Sequence, residues 1–577
     1  MFFMLKSLTR RDFIKTMSLA APVDVFAVGT AADLVVYGKI FTSENNQLAE
    51  AFAVKDGKFI YVGDKKGAES FIDKNKTEVI DYSGKGLVMP ACGNGHAHYS
   101  SGIGIPKLGT IIDREITPEK FLTEAVPAAV KKAKEAGATS IVGFGWQVLL
   151  FEKNMPTRQD LDKLCSDIPM YFADEEGHKG LVNTLALVNA GIMSADGKVL
   201  KSEVRGGEIV FGDDGTPTGY LKEQAGTYTR SFLDNDNLFS VDLAKETLID
   251  VEKHLLSEGY TMYLDGWGNY FFNESYFKAA QQRDKSGDMH FVLGLSYELE
   301  SWMDIDKNLE KALDVQKYSS EHVKTNWVKL FIDGTVETGT GFVDPLYPGG
   351  KQGIANWEED EVTYITRKSN AKGLSMHIHT MGNKAVNRAV NAYVNGGKDE
   401  LRNTLVHVHQ VFPSDYKRMA EHNIYVTEGM LWHHQSDEGQ KILPDMVPKG
   451  MGDKSYPMKS FFDNGINMTS HSDFPALSGS PDDPFGIIEI AVTGQCYLET
   501  GKVWWAEELI TREQAITALT INVAKQMFLE NERGSIKTGK YADFLLVNKD
   551  VLSCPVKEIH TAKPEATYFE GKKVFSA

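Results

Sequence analysis

The sequence predicts an α/β protein, a (β/α)8 TIM barrel carrying a small β-sandwich domain formed from both chain ends. Two textures support this: short strands crowd residues 32–90 and 534–577, and helix-like stretches followed by short apolar strands recur between them. The expected organisation is an export signal over 1–31, the first part of the sandwich over 32–90, the barrel over 91–533 and the second part of the sandwich over 534–577. With 577 residues, 42% of them hydrophobic, the chain can bury a large core, and disorder is not its default state.

At the N-terminus, Thr9-Arg10-Arg11-Asp12-Phe13-Ile14-Lys15 precedes a mildly apolar stretch from Thr16 to Gly29 and resembles a twin-arginine export signal. That likeness implies the twin-arginine machinery as a partner and a periplasmic or otherwise exported protein, folded before export with any metal already aboard. No other apolar run approaches the roughly 20 residues that a membrane span requires.

The first β segment reads as Leu34–Tyr37, Ala51–Val54 and Phe59–Val62, with Asp56-Gly57 as a hairpin turn between the last two. The far end repeats the pattern: Ala542–Val547, then Ala566–Phe569 turning at Glu570-Gly571 into Lys573–Phe575. Between them, Pro118–Ala136 precedes Ser140–Phe144, Leu243–Leu256 precedes Thr261–Leu264, and Glu359–Ala371 precedes Leu374–Ile378. Lys384–Tyr393 before Thr404–Val406 and Asp415–Glu421 before Ile424–Val426 continue the series. Such alternation indicates βαβ units and a parallel sheet, and about eight units favour a closed barrel with its chemistry at the C-terminal strand ends.

Charge and cysteine content narrow the function. The balance of 62 Lys+Arg against 79 Asp+Glu gives −17, with no long basic run, which argues against nucleic-acid binding. The four Cys show no ligand-like spacing, so neither a disulfide framework nor a Cys-based zinc site is indicated. Gly102-Ile103-Gly104 and Gly339-Thr340-Gly341 lack the residues that would make them phosphate loops.

The chemistry gathers where the predicted strands end. His96 and His98 flank Ala97, and residues i and i+2 of an extended segment point to one side, so both imidazoles can reach one cation. Lys329 stands alone in the apolar run Trp327–Ile332. His379 ends one strand, His407 ends the next, and Asp473 follows the apolar segment Ile466–Met468. Each has a bland reading taken singly, a snorkelling Lys or a solvated loop residue. Four His, one Lys and one Asp at successive strand ends converge on the barrel mouth, and one site explains them better than six accidents.

The ordered set resembles the amidohydrolase superfamily, and within it the YtcJ-like metal-dependent hydrolases. The likeness runs from Ala32-Asp33-Leu34 through His96-Ala97-His98, Gly177-His178, Pro217–Glu223, Val328–Phe331, His379, His407 and Ser472–Pro475 to Gly534–Asp543. It departs where the family usually has Asp (here Asn383), Glu (here Val406) and Gly (here His471), and in lacking an Arg near Gly339.

The resemblance implies one or two divalent ions, zinc foremost. His96, His98 and Asp473 would hold one and His379 and His407 a second, with Lys329 bridging as a carbamate formed from carbon dioxide. An ammonium has only donors, but a buried Lys of lowered pKa can take up carbon dioxide and become an anionic bridge. Asp473 would be the general base, and metal-activated hydroxide would cleave a carbon–nitrogen bond of a non-peptide amide or N-acyl compound. His178, Glu223, Trp432 and His433 are candidates to touch a small-molecule substrate, each balanced against a structural role. An esterase or lactonase, a deaminase on the same fold, and a catalytically silent sensor or binding protein remain as alternatives, and homo-oligomerisation stays open.

Overall fold

The computed structural model of the chain describes residues 31–577 apart from 109, 152, 176, 234–238, 270–273, 338, 435–454, 476–481 and 499–500. The export motif lies outside these residues. Among the described residues no helix is long and apolar enough to cross a membrane.

Eight parallel strands form the barrel: β1 (Cys92–Ala97), β2 (Tyr260–Asp265), β3 (Val292–Glu298), β4 (Val323–Phe331), β5 (Ser375–Thr380), β6 (Thr404–His407), β7 (Tyr425–Glu428) and β8 (Met468–Ser470). Neighbours pair in chain order, and β1 pairs with β2 at the start of the path. Just beyond the strand ends the amide of Asp473 donates to the carbonyl of His96 at 3.2 Å, and that of His98 to Phe474 at 2.7 Å, drawing β8 against β1. The predicted helix–strand units are present: Val241–Glu258 before β2, Glu359–Ala371 before β5, Asn383–Gly396 before β6 and Pro413–Glu421 before β7. The first is capped by Ser240, whose side chain accepts from the amide of Leu243, and ends at Gly259, whose φ of 90° suits a residue without Cβ.

Strands from both chain ends share one sheet. Leu87–Pro90 pairs antiparallel with Phe544–Val547, while Leu34–Phe41 lies between Leu87–Pro90 and Leu48–Lys55. Both expected hairpins form with two-residue turns of positive φ: Asp56 at 47° and Gly57 at 78°, Glu570 at 48° and Gly571 at 73°. The sheet curls, so Phe52 and Phe544 meet at 4.9 Å between ring centroids although two strands separate them.

One sequence expectation is corrected. Ser140–Phe144 read as a barrel strand, but Ile141–Trp146 belongs to a separate six-stranded sheet inserted between β1 and β2. Its other strands are Thr110–Ile111, Met170–Asp174, Lys179–Val182, Gly207–Phe211 and Pro217–Glu223. This sheet packs its own core of Phe121, Val126, Trp146, Phe151 and Phe172. A helix followed by an apolar strand has the same pattern in either setting, and only tertiary pairing tells them apart.

An ion network ties the barrel floor to the β domain. His322, just before β4, bonds Asp284 at 2.7 Å and Glu570 at 3.1 Å, and Glu570 also meets Arg533. Burial opposes a charge on His322, but the two carboxylates outweigh it and raise its pKa to about 9. The folded value therefore lies above the unfolded value of about 6.5, so the stabilisation is complete below about pH 6.5 and is lost as pH rises through 9. Denaturant titrations are expected to show the protein about 1–2 kcal/mol less stable at pH 9.5 than at pH 6.5 from this group, after allowance for solvent screening. His322→Gln should remove that part of the slope; an unchanged slope would assign it elsewhere.

Candidate metal centre

The mouth of the barrel is built from strand ends. His96 lies near the end of β1 with His98 just beyond it, and Gly266, after β2, leaves room for the His96 ring: a Cβ there would stand 1.9 Å from its nearest atom. Lys329 is on β4 in register with Glu298 and His377, and His379 lies on β5 beside Phe331. His407 closes β6 with a φ of 75°, and Asp473 follows β8 with a φ of 52°.

These side chains converge. One oxygen of Asp473 lies 3.2 Å from His96 Nε2 and 3.1 Å from His98 Nε2. Ring centroids of His96 and His407 are 5.2 Å apart, and those of His379 and His407 are 4.5 Å apart. His379 Nε2 donates to the carbonyl of Gly334 at 3.2 Å, which leaves Nδ1 with the lone pair in the neutral ring. His96, His407 and Asp473 bring ligand atoms within 4.8 Å of one another. The resemblance set His96, His98 and Asp473 at one ion and His379 and His407 at a second, with Lys329 between them.

The electrostatics suit a cation. His96 Nε2, Asp473 Oδ1 and Lys329 Nζ are buried with no hydrogen-bond partner, a costly arrangement for three polar atoms unless a bound group satisfies them. Burial, reinforced by Lys329 and the neighbouring rings, holds His96, His377 and His379 well below the usual imidazole range, and burial with His379 and His471 does the same for His407. Neutral imidazoles are the ligating form. Burial likewise lowers Lys329 to about 7, opposed by the charges of Asp473, Glu298 and Asp265, so a neutral amine exists near neutral pH. Four imidazoles and a carboxylate are nitrogen and oxygen donors that suit zinc or a similar divalent ion.

The inserted sheet delivers two more candidates. Glu223 ends the strand Pro217–Glu223 with a φ of 49°, and its Oε2 lies 2.7 Å from His178 Nδ1. Burial works against the charge on Glu223, but His178 beside it keeps the carboxyl below its usual range. His178 stands 5.7 Å from His379, so this pair is on the mouth. Trp432 stacks on His407 at 5.1 Å. His433, next to it in the short helical turn Met430–His433, projects elsewhere: it bonds the carbonyl of Trp505 at 3.2 Å and packs on that ring.

Other groups at the mouth went unselected in the sequence. Asp265 ends β2, accepting from the amides of Ser100 and Trp267, and burial raises its pKa. Glu298 ends β3 and accepts from the indole of Trp267; burial lifts it to about 7. Asp333 accepts three backbone amides, from Phe342, Met381 and Gly382, fixing the turn after His379. The detectable signal was position: Asp265 and Glu298 are the single charged residues closing apolar strands, as His407 closes β6.

A parallel barrel with orphaned histidine, aspartate and lysine atoms at its C-terminal mouth defines a metal-dependent hydrolase. The profile of the amidohydrolase family matches residues 78–575, and the chain belongs to that family. It is 26% identical to Protein LONG AFTER FAR-RED 3 of Arabidopsis thaliana, over 95% of this chain and 92% of that one. It is 25% identical to an N-substituted formamide deformylase of Arthrobacter pascens, over 91% and 95%. Among solved structures, an uncharacterized metal-dependent hydrolase from Pyrococcus horikoshii superposes with a TM-score of 0.70 at 19% identity, covering 91% of this chain and 99% of that one.

Proposed function

We propose that this hydrolase cleaves the carbon–nitrogen bond of a non-peptide amide or N-acyl compound. The observation carrying the reading is the convergence of His96, His98, His379, His407 and Asp473 around Lys329, with buried polar atoms left for a cation to satisfy. The similarity to an N-substituted formamide deformylase supports an amide over an ester.

His96, His98, His379, His407 and Asp473 would hold one or two ions, and Lys329 would join them as its carbamate. The metal, when bound, supplies a water of lowered pKa and polarises the substrate carbonyl. Asp473 accepts the proton of the attacking water and returns it to the leaving nitrogen, which must be protonated to depart as an amine. His178, held by Glu223, presents its other ring nitrogen to the substrate, and Trp432 gives the mouth an apolar wall.

The test is metal analysis of purified protein beside a panel of N-substituted formamides, N-acyl amino acids, esters and lactones. Turnover of an amide that disappears with chelator and returns with zinc is the expected outcome. Turnover of esters or lactones alone would overturn the carbon–nitrogen assignment.

Export is part of the same proposal, resting on Arg10, Arg11, Phe13 and Lys15. Replacing both arginines by Lys is expected to retain the protein in the cytoplasm, since Lys cannot reproduce the planar guanidinium pair. Unaltered fractionation would refute it.

A further inference from the structure

We propose that His377 and His471 are positioning residues, each fixing the proton and the orientation of one ligand histidine. This rests on reading the cluster as a metal centre. His377 precedes His379 by two residues on β5, so both rings face the barrel interior. Its Nε2 lies 2.7 Å from Nδ1 of His96. His471, between β8 and Asp473, repeats the arrangement: its Nε2 lies 3.2 Å from Nδ1 of His407. Both rings are fully buried.

The chemistry allows one proton assignment in each pair when the ligand ring holds a cation. His96 turns Nε2 towards Asp473, so Nε2 is its ligating nitrogen and must be bare. The proton of neutral His96 then sits on Nδ1 and is donated to His377 Nε2, which must itself be bare. His377 therefore carries its proton on Nδ1, an atom buried without a partner. His471 Nδ1 is buried without a partner in the same way. In His407, donation from Nδ1 to His471 leaves Nε2 as the ligating nitrogen.

A histidine ligand usually gives its second N–H to a carboxylate or a backbone carbonyl. Here a neutral imidazole takes that part twice, so the outer layer orients the rings without adding negative charge. Removing either acceptor leaves a ligand N–H orphaned in the barrel interior and its ring free to swing. Loss of such outer contacts typically costs about 10–100-fold in metal affinity.

The experiment is zinc affinity by chelator competition on the full chain, with thermal midpoints of the metal-free proteins as the control. Gln sets an amide oxygen near the place of imidazole Nε2, whereas Leu has similar bulk and no acceptor. His377→Leu and His471→Leu are each expected to weaken zinc binding about 10–100-fold, and His377→Gln and His471→Gln to restore most of it. A purely structural role would move both variants of a pair together with their melting points. Should a Leu variant fail to fold, Asn, whose oxygen sits nearer the place of Nδ1, serves in its stead and is expected to fall short of Gln. Zinc affinity that is unchanged in the Leu variants, or that is lost equally in Gln and Leu, overturns the assignment. A parent protein that takes no zinc overturns the metal-centre reading itself, and this inference with it.

Discussion

Lys329→Ala is expected to reduce turnover by at least about 10²–10³-fold and to strip metal from the protein, the scale of losing a principal charge-stabilising group. The argument starts from burial. Lys329 has no measurable exposure, its Nζ makes no hydrogen bond, and it stands 4.4 Å from the Phe331 ring centroid. An ammonium held only to stabilise the fold would be a poor device there, since desolvation lowers its pKa to about 7. The proposed carbamate would put an anion there instead. Two measurements separate the alternatives. A short carboxylic acid in solution should partly restore metal and activity to the Ala variant by entering the vacated space. Lys329→Met, which preserves bulk, should leave the metal-free protein at least as stable as the parent, because it removes a buried amine that must lose its proton to be accommodated. Full metal and activity in Lys329→Ala would return the residue to a packing role.

Asp473→Asn is expected to lower kcat by about 10²–10⁴-fold, the usual contribution of a general base, with a much smaller loss of metal. The substitution is clean at the backbone: Asp473 has a φ of 52°, in the left-handed region that Asn shares with Asp at little cost. The side-chain shape survives, so the segment after β8 keeps the hydrogen bond from its N–H to the carbonyl of His96. What disappears is the capacity to take a proton. Because an amide oxygen is also a weaker ligand than a carboxylate, metal content belongs on the same sample. Undiminished activity with metal bound would remove Asp473 from the proton path.

The sequence showed His96 and His98 by their i, i+2 spacing, and Lys329, His379, His407 and Asp473 because each interrupts, ends or follows an apolar run, and the barrel topology brings such ends to one mouth. The same rule would have selected Asp265 and Glu298, which close β2 and β3. They escaped because acidic residues at strand ends are commonplace on solvated loops, and their burial comes with tertiary partners such as Trp267. The insertion itself was hidden for a related reason: Ile141–Trp146 has the composition of a barrel strand, and sheet membership is decided by partners distant in sequence. His471 illustrates the converse. It stood out as a departure from the family pattern, and its contact with His407 gives the departure a purpose that no local spacing could convey. Val406 and Asn383, the other departures, have plainer roles: Val406 is buried in the barrel, and Asn383 ties its side chain to the backbone of Asp344.

The shared sheet of the two chain ends bears on how the molecule is made. Pro90 and its partner Phe544 are 454 positions apart (544 − 90). At ribosomal speeds of about 5–20 residues per second, roughly 25–90 s pass between the emergence of one and the other. During that interval Leu87–Pro90 is an unpaired edge beside an uncovered apolar face, the combination most prone to wrong pairing. A ribosome that stalls or a message that ends early leaves Val36, Phe52 and Val88 without Phe544 and Tyr568 to cover them. The two halves of the sheet thus meet late, and until Phe544–Val547 has emerged the apolar face it closes stays uncovered.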